Sequence, residues 1–150
     1  ILLILAGASY MGTSMAYTGI PMALASWVNS LQLSPYALIA ALTVMYVVLG
    51  TALDGISMIV LTTAIVIPMV QQAGFDLVWF GIFLILVVEM AEVSPPVGFN
   101  LFVLQTMSGK DSNTVAKASL PFFFLLVLAV ALITVFPDIV MVLPRMAFPG

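Results

Sequence analysis

The sequence predicts an all-α polytopic membrane protein built around a helical hairpin and a broken transmembrane helix, and three observations carry that prediction. Of 150 residues, 64% are apolar and 6% charged, where soluble domains carry about a quarter charged residues. Mean hydropathy is +1.32, and no charged residue precedes Asp54. Two apolar blocks are interrupted in their middles, one by Gly50-Thr51-Ala52-Leu53-Asp54-Gly55 and one by Ser94-Pro95-Pro96-Val97-Gly98. The first two features place the chain in a lipid bilayer; the third sets it apart from a bundle of plain spans.

The same composition excludes several functions. Three basic residues and a net charge of −3 build neither a nucleic-acid footprint nor a polybasic lipid-binding patch. The chain has no Cys and no His, which removes thiolate nucleophiles, disulfides, haem, most zinc sites and the usual general base. It contains no Gly-rich phosphate loop, metal cluster or nucleophile elbow. An intramembrane aspartyl protease needs a second catalytic aspartate beside Asp54, and Asp76 sits at a helix start instead. The expectation is a non-enzyme without a cofactor. Ile1 opens the chain with no initiator Met, basic n-region or cleavage site, so the expectation is also a segment of a longer membrane protein.

Breaks at Gly19-Ile20-Pro21, Ser34-Pro35, 71–76 and 108–113 divide the chain. Residues 1–18 are apolar with Ser9, Tyr10, Thr13 and Ser14, which suits a helix packed on protein and completing a span. Residues 20–31 are too short to cross and hold Trp27 and Asn29, so an interfacial arm fits. In 35–71, Ser34 caps, Pro35 takes the first helical position, and the Gly-rich interruption leaves two arms. Two readings compete: two short spans with a tight loop, or a re-entrant hairpin whose tip stops inside the membrane. Arms of about 15 residues reach about 22 Å against a hydrocarbon core of about 30 Å, and length favours the hairpin.

Residues 76–107 read as one crossing broken in the middle: Asp76 caps, Trp79 suits the interface, and Pro95-Pro96 removes two amide donors before the helix resumes at Phe99. Such a break is tolerated at membrane depth only where protein buries it or it lines a polar cavity. Residues 114–143 hold the uncharged run 118–137, read as the last full crossing. Lys110 and Lys117 against Arg145 place the loop before it in the cytoplasm. Asp76, Trp79, Tyr36 and Trp27 then lie outside.

The intramembrane acids Asp54, Glu89 and Glu92 have no basic residue in their blocks, and such acids are functional by default. Glu89 and Glu92, spaced i, i+3, share a helix face. They read either as a polar path or ion site, or as groups bonded to neighbouring helices. Asp54 reads either as functional or as the cap of the helix that follows, with the cap favoured. A broken helix facing a hairpin tip offers what a sodium ion needs: carbonyls from 50–53 and 91–97 and the hydroxyl of Ser94. Asn100 is placed to bond across the break. The competing readings are unrelated kinks in a channel or scaffold.

These residues carry a resemblance. The stretch 49–55, Pro68, Gly74-Phe75-Asp76, Trp79-Phe80-Gly81 and above all Glu92-Val93-Ser94-Pro95-Pro96-Val97-Gly98-Phe99-Asn100-Leu101-Phe102-Val103 resembles the C-terminal portion of the large permease subunit of TRAP transporters, the DctM type. The resemblance implies the second half of an inverted-repeat ion-transporter fold with an elevator-like motion, in the bacterial inner membrane. It implies sodium as coupling ion, a periplasmic substrate-binding protein that delivers an organic acid, and a small membrane subunit of the DctQ type. It places sodium on Gly50, Ala91, Ser94 and Val97; on the reading of the residues themselves, Asp54, Pro95, Pro96, Gly98 and Asn100 shape the site and Glu89 and Glu92 lie along a polar path. The alternative within the same superfamily is a carrier independent of a binding protein, or one coupled to protons through Glu89 or Glu92.

Overall fold

The computed structural model describes residues 2–31, 33–95 and 98–147, and eight α-helices are found among them: α1 Leu2–Thr18, α2 Ile20–Ser30, α3 Pro35–Leu49, α4 Gly55–Gln72, α5 Leu77–Glu92, α6 Phe99–Ser108, α7 Ser112–Val135 and α8 Asp138–Ala147. Helix starts are written locally. Ser34 Oγ accepts from the Ala37 amide at 3.2 Å, Asp54 from the Ser57 amide at 2.9 Å, Asp76 from the amides of Val78 and Trp79, and Asp111 from the Thr114 amide at 3.0 Å. Each removes an orphan donor left by the first helical turn.

Helix α5 is the axis: α3, α4, α6, α7 and α8 all pack against it, while α1 and α2 lie along α4. The apolar core runs from Leu38, Leu42 and Tyr46 of α3 through Met58, Val66 and Val70 of α4 to Trp79, Phe80, Phe83, Val87 and Val88 of α5. Tyr46 is fully buried, and its hydroxyl meets Thr62 Oγ1 at 2.6 Å, tying the two hairpin arms together. At 24 residues α7 is about 36 Å long, and it runs back along both α5 and α6. Gly55–Gln72 and Ser112–Val135 are long and apolar enough to cross a membrane.

Pro35, Tyr36, Gly74, Phe75, Asp76, Trp79, Pro137 and Arg145 line one cavity of about 360 Å³. The hairpin therefore starts and ends at the same end of the bundle, the end where α7 finishes. With 15 residues, α3 is about 22 Å long and stops at the interruption between α5 and α6.

Two expectations are corrected. The helix expected over 114–143 is two: Pro137 lacks an amide and drives Phe136 out of the helical region, to φ −122 and ψ 71, so α7 ends at Val135 and α8 starts at Asp138. Pro121, by contrast, is carried inside α7. The second hairpin arm is 18 residues rather than about 15, because α4 begins directly after its Asp54 cap and continues through Pro68 to Gln72. Trp79, expected at the interface, is 2% exposed, stacks between Phe75 and Phe83, and donates its indole N–H to the Ile133 carbonyl at 2.9 Å.

Tyr46→Phe keeps the ring and deletes the bond to Thr62, so thermal unfolding of the complete permease is expected to show a loss of about 0.6–2 kcal/mol. In the exposed turn before α7, the Thr114 hydroxyl and amide hold the Asp111 carboxyl below the usual carboxylate range. A depressed folded value means that this cap stabilises above the ordinary carboxylate range and is lost as pH falls through the lowered value. The stability gap between the wild type and Asp111→Ala is expected at pH 7 and should close in strong acid.

Candidate functional site: a hairpin tip seated on a broken helix

Helix α5 ends at Glu92 and α6 begins at Phe99, and the described residues between them, 93–95 and Gly98, are not helical. Its described polar groups find partners. Ser94 Oγ donates to the Ala91 carbonyl at 2.8 Å, and the Gly98 amide donates to the Ser94 carbonyl at 2.8 Å. The Phe99 amide, first of α6 and without an intrahelical acceptor, donates across to the Gly50 carbonyl at 3.1 Å. That bond seats the tip of the α3–α4 hairpin on the break.

Two close approaches leave no room for a side chain, one between the tip and the break and one within the break. A Cβ on Gly50 would lie 2.6 Å from Ala91 Cβ and 2.8 Å from the Ala91 carbonyl carbon and oxygen. A Cβ on Gly98 would overlap the Glu92 carbonyl. Neither glycine has a positive φ; both are required by close approach of backbone to backbone.

Gly50, Ala91 and Ser94 are thus brought together, with Ala91 and Ser94 buried. Val97 and Pro96, also expected at the site, lie outside the described residues. The oxygens at the joint are those of two neutral carbonyls and one hydroxyl: the Gly50 carbonyl accepts from the Phe99 amide, and the Ala91 carbonyl accepts from the Ser94 hydroxyl at 2.8 Å and from the Ser94 amide at 3.3 Å. This donor set is hard and neutral, as a monovalent cation requires.

The acids divide by role. Asp54 caps α4, accepting from the Ser57 amide and, at 2.8 Å, from the Ser57 hydroxyl. Glu89 is exposed and lines, with Asp54, Gly55 and Glu92, a groove of about 450 Å³ between α4 and α5. Glu92 is 9% exposed and accepts from Asn100 Nδ2 at 2.6 Å, a bond that crosses the break. Sequence reasoning put Glu92 on a polar path beside Glu89; it missed that Asn100 takes the side chain inward. The eight-residue separation with Pro-Pro between hid the pair, although Asn100 itself was singled out.

The profile described as "Tripartite ATP-independent periplasmic transporter, DctM component" matches residues 1–139. The chain belongs to the DctM family. It is 27% identical over 145 residues to the C4-dicarboxylate TRAP transporter large permease protein of Pseudomonas aeruginosa, covering 97% of this chain and 34% of that protein. It is 27% identical over 141 residues to the sialic acid TRAP transporter permease of Haemophilus influenzae, covering 94% of this chain and 23% of that protein. It is 31% identical over 134 residues to the ectoine TRAP transporter large permease of Halomonas elongata, covering 89% of this chain and 31% of that protein. The chain therefore spans about a third or less of the length of these DctM-type relatives, all of them transport proteins.

Gly50→Ala forces the tip from the break, and Gly98→Ala forces the start of α6 from the end of α5. Both are expected to lower the thermal stability of the complete permease by about 1–3 kcal/mol, the usual range for overpacking, and to depress uptake at equal expression.

Proposed function

We propose that this chain is the C-terminal part of the large membrane subunit of a sodium-coupled secondary transporter that imports a small organic acid. The cargo reaches it from a periplasmic binding protein, a small membrane subunit of the DctQ type assembles with it, and the complex sits in the bacterial inner membrane. The observation that carries this reading is the joint at which the Gly50 carbonyl meets the Phe99 amide, with Ala91 and Ser94 beside it. In this reading α3 and α4 form a re-entrant hairpin, α5 and α6 form one interrupted crossing, and the whole is the second half of an inverted-repeat fold. The common end of the two arms and the length of α3 support that placement.

Sodium binds at the joint through backbone oxygens of Gly50, Ala91 and Val97 and the Ser94 hydroxyl. Unwound carbonyls and half-helix ends at mid-membrane are what alkali-ion coupling uses. The groove beside it, lined by Asp54 and Glu89, serves the polar path. Relatives named for C4-dicarboxylates, sialic acid and ectoine support a small carboxylate as cargo.

The test is uptake of a panel of labelled organic acids into proteoliposomes holding the complete transporter, with and without the binding protein and an inward sodium gradient. Uptake is expected to require both. Ser94→Ala, which deletes the hydroxyl, should raise the sodium concentration for half-maximal uptake by about tenfold, equivalent to about 1.4 kcal/mol, while Ser94→Thr should stay near the wild type. A sodium curve unmoved by Ser94→Ala removes the residue from the site. Uptake that ignores sodium and collapses with the proton gradient replaces this reading with proton coupling through Glu89.

A further inference from the structure

We propose that Glu92 is a positioning residue: a clasp that locks the hairpin tip to both halves of the interrupted helix and so holds the joint in register. The proposal rests on the reading of that joint as the ion site. Glu92 is the last residue of α5, and its side chain reaches the first turns of two other helices. Its Oε2 accepts from the side-chain amide of Asn100, the second residue of α6, at 2.6 Å. Its other oxygen lies against Gly55, the first residue of α4, so closely that a Cβ there would stand 2.5 Å from Oε1, and the Gly55 amide donates to the carboxylate. One side chain therefore joins the end of α5 to the starts of α4 and α6.

The chemistry of the clasp is specific. Both partners are N–H donors on opposite sides, so the side chain between them must turn an acceptor oxygen to each, which a carboxylate does and a carboxamide, with one oxygen and one NH2, does not. Both donors also belong to helix N-termini, where the aligned peptide dipoles favour negative charge. The other acids nearby do not compete for these donors: Asp54 is occupied by Ser57, and Glu89 is exposed along the groove. Beside the clasp, Gly98 packs on the Glu92 backbone and the Phe99 amide holds Gly50, so the distance from tip to break is set by Glu92 on one side and by the Gly50 carbonyl on the other.

The test is a swap in the complete transporter. Glu92→Gln turns a donor toward a donor, at Asn100 or at Gly55, and Asn100→Asp sets two carboxylates against each other. Together they reverse the pair: the Gln oxygen accepts from Gly55 and its amide donates to the new carboxylate. Two readouts are taken at equal expression. The first is the rate at which a thiol reagent labels Thr51→Cys on the exposed tip, in a background free of other cysteines. The second is the sodium concentration for half-maximal uptake, compared with the KM for substrate.

Each single variant is expected to raise the labelling rate and the sodium half-saturation by about tenfold, as loss of one hydrogen bond to a charged group does, with a smaller change in substrate KM. The double variant should return both to within about threefold of the wild type. If either single variant fails to accumulate, recovery of accumulation in the double variant is the same positive result, and its absence the same negative one. Labelling of Glu92→Gln at the wild-type rate overturns the clasp, as does a double variant no better than its parents. The swap rescuing the labelling rate in a transporter whose wild-type uptake ignores sodium leaves the clasp standing and overturns the ion site.

Discussion

The fold turns on one requirement: backbone that leaves the helix inside the bundle must find partners within the protein. Two departures from the helix, at 50–54 and after Glu92, meet. The Phe99 amide is satisfied by the Gly50 carbonyl, which a continuous helix would have used itself. Ser94 turns its hydroxyl back to Ala91, and its own carbonyl is taken by Gly98. Either interruption alone would leave buried polar groups unpaired; together they form a closed joint. The cost falls on side-chain volume, since Gly50 and Gly98 have backbone where a Cβ would be.

The rest of the bundle holds that joint in place. Tyr46 ties α3 to α4, and Trp79 ties α5 to α7 at the end opposite the joint. The three stacked rings of Phe75, Trp79 and Phe83 continue that anchorage along α5. Caps at Ser34, Asp54, Asp76 and Asp111 start each helix directly after a turn, so the lengths of α3 and α4 are set locally while their placement is set by the core they share with α5. The exposed Asp138–Arg145 pair on α8 lies outside this arrangement, and a pair so open to solvent contributes little.

Much of this was legible in the sequence because it is written in short-range chemistry. The capping residues, the Gly-rich tip and the Pro-Pro break all act within a few positions of themselves, and the interruptions stood out against an otherwise apolar chain. Asp54 behaves as the cap that its place before Ile56 and Ser57 suggested. What the sequence hid is long-range. Trp79 looks interfacial by type and is buried because Phe75 and Phe83 flank it one turn away on either side and a carbonyl of α7 meets its indole. The bond between Phe99 and Gly50 involves only backbone and leaves no residue signature. Pro121 is carried inside α7 whereas α7 ends before Pro137, a difference that apolar periodicity does not record.

The position of the acids gives the last constraint. Glu92 is buried without a basic partner, and among the described residues its oxygens face N–H groups at the starts of α4 and α6. Opening the tip from the break would strip those donors from the acid and, in the same movement, part Phe99 from Gly50. Each uncompensated group would cost about 1–3 kcal/mol, and more where it is charged. The joint is therefore the wrong place for a hinge. Parting the tip from the break requires that water or an ion replace the oxygens and amides that separate.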